Sequence, residues 1–230
     1  MRDRIDLLDL WRSLAVAVML VFHLCYDLSL FGHFPAQALR TPLAHAVVWI
    51  SGGSFILLSG TVLRFSRSPL RRGLMVLCCA LAVTVASLLA GYPVAFGALH
   101  LIGICMIVFG ALRERLERLP TAALAAGAAL LFALSALLTA SVRVRFPLLY
   151  PLGLRRADFY SADYWPLLPW AFLYLLGLPL GRFLEAHREN ALLSRPISRV
   201  LTAPGRCSLW IYLLHQPIMY GLCLLCFGKS

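Results

Sequence analysis

The sequence is poor in charged residues. Asp, Glu, Lys and Arg make up 13% of its 230 residues, about half their share in a typical soluble domain. Hydrophobic residues make up 61%, well above the roughly 45–50% found in soluble proteins. The composition excludes an ordinary soluble protein, and we expect residues 1–230 to form a single transmembrane domain.

Acidic residues are especially scarce. Ten Asp and Glu stand against 21 basic residues, nearly all of them arginine, which gives a formal net charge of +11. In a soluble protein this excess would suggest nucleic acid as a partner. In so apolar a chain it indicates arginines in cytoplasmic loops beside anionic lipid headgroups. We therefore expect membrane lipids, and no nucleic acid, among the partners.

Metal ligands are also sparse. The seven cysteines lie in or beside apolar runs, which favours buried, reduced thiols. Cys223 and Cys226 form a C-x-x-C pair, but no second pair of ligands accompanies it. We expect no metal.

Seven apolar segments are each long enough to cross a bilayer. They predict an all-α fold, a polytopic transmembrane helix bundle of about seven spans. The segments cover residues 12–31, 43–64, 73–91, 94–112, 120–141, 166–183 and 207–227.

The basic residues predict the orientation of the bundle. With a cytoplasmic N-terminus, six of the 21 basic residues fall outside and the other fifteen, including Arg2 and Arg4, fall inside. The positive-inside rule favours this orientation, although the outer loop from 142 to 165 carries four arginines. The six outer residues are Arg40, Arg143, Arg145, Arg155, Arg156 and Lys229.

Five histidine and aspartate side chains lie inside the apolar segments. An ionisable group at membrane depth costs roughly 3 kcal/mol or more, so it normally faces the bundle interior and is a functional candidate. For His45 and His100 a structural hydrogen-bonding role is the favoured interpretation. The five are His23, Asp27, His45, His100 and His215.

Arg12, His23, Tyr26 and Asp27 share one face of the first predicted helix. Eleven residues at about 100° each bring Arg12 and His23 within about 20° of each other. The rise of about 1.5 Å per residue puts His23 about 16 Å from Arg12, near the middle of the membrane.

His23 and Asp27 are four residues apart, so the carboxylate can accept a hydrogen bond from the imidazole. Asp27 would then orient His23 and stabilise the imidazolium formed when His23 acts as a general base. The alternative is that the two side chains satisfy each other as a structural contact. The spacing leaves both interpretations open.

On the seventh predicted helix, Ser208, Tyr212, His215 and Met219 fall on one face. His215 lies about 10 Å from the predicted inner boundary. His23 and His215 could therefore meet inside the bundle.

A cluster of four arginines follows the second predicted helix. Guanidinium groups hold phosphates by charge and by bidentate hydrogen bonds. The alternative is that these arginines fix the topology and do nothing more. The arginine cluster consists of Arg64, Arg67, Arg71 and Arg72.

Small residues recur on two predicted helices. Gly52-Gly53-Ser54 and Ser59-Gly60 on the second helix could leave a slot for a narrow substrate chain, but close helix packing is the favoured interpretation. Gly177 and Gly181 have the small-xxx-small spacing of tightly packed helices.

The loop from 142 to 165 is rich in aromatic residues. They suit either an interfacial aromatic belt or an acceptor site for a sugar. The rings are Tyr150, Phe159, Tyr160, Tyr164 and Trp165, and the charged neighbours are Arg155, Arg156, Asp158 and Asp163.

Several short motifs, taken in order, resemble one known family. The first helix carries Arg4-Ile5-Asp6, Leu10-Trp11-Arg12-Ser13-Leu14-Ala15, Val21-Phe22-His23 and Tyr26-Asp27-Leu28. Later motifs are Gly53-Ser54-Phe55-Ile56-Leu57-Leu58-Ser59-Gly60, Leu99-His100-Leu101-Ile102-Gly103, Pro166-Leu167-Leu168-Pro169-Trp170 and Ser208-Leu209-Trp210-Ile211-Tyr212-Leu213-Leu214-His215-Gln216-Pro217. Together they resemble bacterial proteins related to the catalytic domain of heparan-α-glucosaminide N-acetyltransferase. The spacing of Arg12 and His23 also resembles the membrane acyltransferases that O-acetylate bacterial surface polysaccharides.

The resemblance implies an integral-membrane acyltransferase of the bacterial cytoplasmic membrane. It would move an acetyl group from cytoplasmic acetyl-CoA, the acyl donor, to an amine or hydroxyl of an envelope glycan or small-molecule acceptor. It also implies that His23 is catalytic, with Asp27 orienting it and Arg12 holding the donor or stabilising the site. The CoA nucleotide would dock on Arg64, Arg67, Arg71 and Arg72, and the pantetheine arm would enter between the first, second and seventh helices.

A different class of function could use the same residues. A transporter could use the histidines as a proton relay, and a scaffold in a polysaccharide-export complex would need none of their chemistry. CoA release that depends on His23 is expected of an enzyme and of neither alternative. A homo-oligomer or an export-complex partner is also left open by the sequence.

Overall fold

The computed structural model describes residues 5–190, 193 and 195–228. Within these residues the regular structure is helical, apart from one isolated bridge between Phe96 and Tyr164. The all-α prediction is confirmed. Arg2, Arg4 and Lys229, three of the residues used to predict the orientation, lie outside the described residues, and the orientation stays a prediction.

The helices follow the apolar segments of the sequence closely. Short 3-10 helices occupy Ala36–Arg40 and Pro147–Leu152. The α-helices are α1 (Asp6–Leu30), α2 (Pro42–Leu63), α3 (Pro69–Leu89), α4 (Ala98–Ala111), α5 (Arg113–Glu117), α6 (Thr121–Ser141), α7 (Leu167–Ala186), α8 (Arg199–Arg206) and α9 (Ser208–Phe227).

Among the described residues, six helices are long and apolar enough to cross a membrane: α1, α2, α3, α6, α7 and α9. The fourth predicted span forms α4, which has 14 residues. Such a helix rises about 21 Å, less than the roughly 30 Å of the hydrocarbon core. The polytopic bundle is confirmed, with six full-length helices where the sequence predicted about seven spans.

The start of α4 is delayed by pairing between two loop segments. The N–H of Ala162 donates to the carbonyl of Pro93, and the N–H of Trp165 donates to that of Phe96, each at 3.0 Å. Asp163 Oδ2 accepts from the N–H of Ala98 at 3.1 Å, which satisfies a free donor at the helix start. The chain therefore stays extended up to Gly97 instead of entering a helix at residue 94.

The outer faces of the long helices are apolar. On α3, Leu81, Val85 and Leu89 are more than half exposed, and Leu130 and Leu137 are equally open on α6. Extended apolar surfaces of this kind are rare on soluble monomers, whereas in a bilayer they contact lipid chains. The chain is an integral membrane protein.

The chain forms two compact units, Met1–Phe55 with Arg188–Ser230, and Ile56–His187. In the first unit α1 packs against α8 and α9. In the second unit α3 packs against α4, and both α4 and α6 pack against α7. The residues of α2 are divided between the two units.

Within the second unit, the end of α2 and the middle of α7 approach backbone to backbone. A methyl group at Gly177 would overlap the backbone of Leu57 and Thr61, and one at Gly60 would overlap the carbonyl of Tyr174. A methyl group at Gly181 would lie 2.7 Å from the carbonyl oxygen of Thr61. The predicted close packing is confirmed at these three glycines.

Candidate active site

His23 lies on α1 and is held through one ring nitrogen. Its Nδ1 donates to the carbonyl of Met19 at 2.9 Å. Because a carbonyl can only accept, Nδ1 carries the proton and the neutral ring has its lone pair on Nε2. No described residue forms a hydrogen bond with Nε2. His23 therefore presents the nitrogen that a general base or a nucleophile uses.

His215, on α9, is held in the same way. Its Nδ1 donates to the carbonyl of Tyr212 at 2.7 Å, and the Tyr212 ring lies 5.7 Å away. Its Nε2 is buried and has no hydrogen-bond partner among the described residues. The ring centroids of His23 and His215 lie 4.7 Å apart, at an interplanar angle of 84°. The structure thus brings these two histidines together.

Asp27 lies one turn beyond His23 and is fully buried. Its Oδ1 accepts a hydrogen bond from Gln216 Nε2 at 2.6 Å, whereas Oδ2 is buried with no partner among the described residues. The hydrogen bond expected between His23 and Asp27 does not form. Side chains on a helix lean toward its N-terminus, so the His23 ring turns back to Met19 and away from the carboxylate.

Sequence reasoning missed Gln216. It considered ionisable side chains in apolar helices, and an amide carries no charge. A signal was nevertheless present, since Gln216 directly follows His215 in an otherwise apolar segment. A buried amide needs hydrogen-bond partners as much as a charged group does.

Arg12 belongs to a different cluster. Its Nη1 lies 3.5 Å from Asp9 Oδ1. The guanidinium of Arg206 pairs with Asp9 Oδ2 and with Asp6 Oδ1, each at 3.0 Å. Since α1 rises about 1.5 Å per residue, Arg12 lies about 16 Å along the helix from His23, and the two acids lie farther away.

The cluster fixes α8 onto α1. The N–H of Gly205 donates to Ser13 Oγ at 2.8 Å, and Ser13 Oγ donates to the carbonyl of Asp9 at 3.0 Å. A methyl group at Gly205 would overlap that same carbonyl. Because a single residue, Cys207, separates α8 from α9, these contacts also set the position of α9 along α1.

Two acids in this cluster were not expected inside a helix. The sequence predicted a first span from residue 12, with Asp27 as its single acid. The helix starts at Asp6 instead, and Asp9 is buried. The pairing with Arg206 compensates that burial, and nothing local in the sequence signals a partner so far along the chain.

His100 uses both of its ring nitrogens within the second unit. Its Nδ1 accepts from the N–H of Gly97 at 3.2 Å, so in the neutral ring Nε2 carries the proton and donates to Thr84 Oγ1, also at 3.2 Å. Thr84 in turn donates to the carbonyl of Val94 at 2.8 Å. His100 thus connects the start of α4 to α3. His45, in contrast, is exposed on α2.

The four residues of the arginine cluster defined by the sequence, Arg64, Arg67, Arg71 and Arg72, differ in their surroundings. Arg64 forms ion pairs with Glu185 through Nε and with Glu117 through Nη1. Arg67, Arg71 and Arg72 are exposed. Two carboxylates therefore already neutralise Arg64, whereas the other three present their charge at the surface.

Two further arginines stabilise the same end of the second unit. Arg113 donates to the carbonyls of Ser66 and Arg64 at 3.0 and 2.9 Å, and Arg182 donates to those of Leu116 and Leu119, each at 2.7 Å. Carbonyls at helix ends lack partners in their own helix, and cationic side chains satisfy them well.

An open cleft of about 620 Å³ lies beside these residues. Arg64, Arg182, Glu117 and Glu185 line it, so two positive and two negative side chains balance. A hydrogen bond from Arg113, with the charges of Arg113, Arg64 and Arg182, lowers the pKa of Glu117 despite some burial. The cleft itself does not favour an anion.

The aromatic loop forms a packed stack. The Phe159 ring lies 5.2 Å from Tyr150 and 4.9 Å from Tyr164, and Tyr164 donates its hydroxyl to the carbonyl of Tyr150 at 2.7 Å. Burial raises the pKa of Tyr164, and the nearby charge of Arg155 opposes this. Tyr160 is 60% exposed. Both the interfacial belt and an acceptor site remain compatible with this stack.

Within residues 5–190, 193 and 195–228, no group of three or more His, Cys, Asp or Glu side chains is arranged to hold a metal ion.

The fold and the contact between His23 and His215 define a polytopic helical membrane protein with a candidate site for proton or acyl transfer. The family model described as "Heparan-alpha-glucosaminide N-acetyltransferase, catalytic" matches residues 4–217, and the chain belongs to this family. Membership implies a membrane acetyltransferase. Neither the curated proteins nor the solved structures contain a significant match.

Proposed function

We propose that this protein transfers an acetyl group from cytoplasmic acetyl-CoA to an amine or hydroxyl of an envelope glycan or related small molecule. It would act in the bacterial cytoplasmic membrane, with its N-terminus in the cytoplasm. The observation that carries the proposal is the family match over residues 4–217. The orientation of His23, which leaves Nε2 without a hydrogen bond to any described residue, supports it.

His23 would act through the lone pair on Nε2. As the acceptor attacks the thioester carbonyl, Nε2 removes the acceptor's proton, the C–S bond breaks, and the CoA thiolate receives a proton. General base catalysis of this kind contributes roughly 10²–10⁴-fold to a rate. In a two-step variant the same lone pair attacks the thioester and forms a transient acetyl-imidazole.

Asp27 would assist by charge instead of by a hydrogen bond to His23. It lies one helical turn away, fully buried, where a weakly screened negative charge favours an imidazolium. Gln216 holds Oδ1 in place. We assign Arg12 to stabilising the cytoplasmic end of α1, because Asp9 already pairs with it.

The donor's phosphates would contact Arg67, Arg71 and Arg72. These side chains are exposed, and guanidinium groups bind phosphates by charge and paired hydrogen bonds. Arg64 would contribute less, because Glu117 and Glu185 already pair with it.

The donor assignment is tested by thermal unfolding of the protein in nanodiscs with and without acetyl-CoA. A ligand at 100 times its Kd stabilises a protein by about 2.7 kcal/mol, so the midpoint rises for the wild type. The rise is lost in Arg71→Ala/Arg72→Ala and kept in the control Arg155→Ala/Arg156→Ala, which removes two arginines from the 142–165 loop. No rise at millimolar acetyl-CoA contradicts the donor and favours a proton-relay transporter or a scaffold.

A further inference from the structure

His215 is buried, and its ring contacts that of His23 edge to face. The mechanism proposed for His23 assigns no role to His215. Its Nε2 is an acceptor without a donor among the described residues. Leaving such a group unpaired destabilises the fold, and a buried polar group without a partner in a native structure is often explained by a catalytic role or a bound molecule. The same ring lies 4.7 Å from His23, centroid to centroid.

We propose that His215 is a second catalytic residue, which removes the proton of the acceptor while His23 carries the acetyl group. The inference rests on the proposed function and selects its two-step variant. It assigns a separate nitrogen, the Nε2 of each ring, to each of the two tasks.

The number of free lone pairs on the two rings supports giving the acyl transfer and the proton transfer to different histidines. Nδ1 of His23 is committed to the carbonyl of Met19, so Nε2 is the sole nitrogen that can attack a thioester. Once Nε2 bears the acetyl group, His23 has no lone pair left with which to accept a proton. A second base is then needed, and His215 Nε2 is unprotonated because its Nδ1 already donates to Tyr212.

The burial of the two rings assigns the roles. His215 is 8% exposed, whereas His23 is of intermediate exposure. An acetyl group needs space beside the nitrogen that receives it, and a proton needs almost none. The more open ring is therefore the acyl carrier and the more buried ring is the base.

The two steps balance. In the first, a bond forms between His23 Nε2 and the acetyl carbon, the C–S bond breaks, and CoA leaves as the thiolate. The acetylated ring is cationic, and its Nδ1–H remains on the carbonyl of Met19. In the second, the acceptor bonds to the acetyl carbon, its proton moves to His215 Nε2, and the bond to His23 breaks. The proton on His215 then passes, directly or through water, to the thiolate, so acetyl-CoA and acceptor become acetylated acceptor and CoA thiol.

The test separates the two steps. Wild type and His215→Asn are mixed with acetyl-labelled CoA ester, using glucosamine, methyl glucoside and water as acceptor probes. Asparagine can still donate to the carbonyl of Tyr212 but lacks the basic nitrogen. We expect His215→Asn to release one CoA per chain and then turn over roughly 10²–10⁴-fold more slowly than the wild type, with label accumulating on His23.

The matched control is His187→Asn, since His187 also donates from Nδ1 to a carbonyl, that of Phe183, but is exposed. It should behave as the wild type. Equal turnover in wild type and His215→Asn overturns this inference and leaves the proposed function standing. A wild type that releases no CoA overturns the proposed function, and this inference with it. Loss of the initial CoA release in a folded His215→Asn assigns His215 to the donor step and also overturns the inference.

A second measurement does not depend on a variant that folds. Diethyl pyrocarbonate acylates unprotonated imidazole nitrogens, and peptide mapping locates the product. We expect His23 to react and acetyl-CoA to protect it, whereas His215, whose Nε2 is buried, and His100, with both nitrogens engaged, stay unmodified. An unmodified His23 or a modified His215 overturns the assignment of the two roles, because the acyl carrier must be the ring with space for an acyl group.

Discussion

Gln216 donates a hydrogen bond of 2.6 Å to Asp27, which joins α9 to α1 through a fully buried carboxylate. A buried carboxylate is costly unless it is paired. Since the other oxygen of Asp27 has no partner among the described residues, this bond stabilises the helix pair that carries His23 and His215.

Removing the amide should destabilise the protein. We expect Gln216→Leu to lower the free energy of unfolding by about 2–3 kcal/mol, because it leaves a buried acceptor without its donor. Denaturant unfolding in detergent measures this. Gln37→Leu is the matched control, since Gln37 is exposed. Adding Asp27→Leu to Gln216→Leu should recover much of the lost stability, because the acceptor is removed as well. A Gln216→Leu variant as stable as Gln37→Leu would contradict the stabilising role of this hydrogen bond.

The ring protons of three histidines in the apolar helices can be observed directly. Nitrogen NMR on isotope-labelled histidine distinguishes the two neutral tautomers. We expect His23 and His215 to carry their proton on Nδ1 and His100 to carry it on Nε2, because of the carbonyls and hydroxyl each contacts. A neutral His215 protonated on Nε2 would lack the lone pair that its proposed role as a base needs.

The positions of the long helices were predictable from the sequence, because apolarity over about 20 residues is a local signal. The predicted segments 43–64, 120–141 and 207–227 differ by one residue or less at each end from α2, α6 and α9. The start of α4 was wrong because residues 93–97 pair with a loop some 65 residues later. The start of α1 was wrong because Arg206 compensates two acids that no local pattern links to it.

The candidate site was predictable to the same degree. Helical angles place His23 and His215 on faces that could meet, and the two rings do meet, edge to face. The orientation of each ring was not predictable, since it depends on a choice between the helix's own carbonyl and a neighbouring side chain. In this protein His23 donates to the carbonyl of Met19, and Asp27 accepts a hydrogen bond from Gln216.

Helix contact at Gly177 gives a stability prediction. Gly177→Ala places a methyl group against the backbone of Leu57 and Thr61, and we expect it to destabilise the protein by about 2–3 kcal/mol. Gly127→Ala is the control, because Gly127 has open space within 4 Å and alanine in a helix is favoured by about 0.5–1 kcal/mol. Thermal unfolding of both variants should show midpoints displaced in opposite directions, and a neutral Gly177→Ala would contradict the close approach.

The ion pairs of Glu117 predict a pH dependence. The pKa of this carboxyl is lowered from its ordinary value of 4.5, chiefly by the hydrogen bond from Arg113. A lowered pKa stabilises the folded state above the unfolded pKa, and this contribution disappears as the pH falls through the folded pKa. Glu117→Gln should therefore unfold at a lower temperature than wild type at neutral pH, with the difference vanishing in acid.

The matched control for this pH series is Glu114→Gln, which changes a neighbouring residue of α5 that forms no ion pair among the described side chains. Its midpoint should stay parallel to that of the wild type. A difference between wild type and Glu117→Gln that persists unchanged into acid would show that the ion pairs do not stabilise this end of the protein.

His23 is the residue to which we assign acyl transfer from acetyl-CoA. The most direct measurement follows the release of CoA thiol by purified protein in nanodiscs, comparing wild type, His23→Asn and the control His187→Asn. We expect release by the wild type and the control, and loss of release in His23→Asn while acetyl-CoA still raises its unfolding temperature. Release by His23→Asn at the wild-type rate would contradict the account.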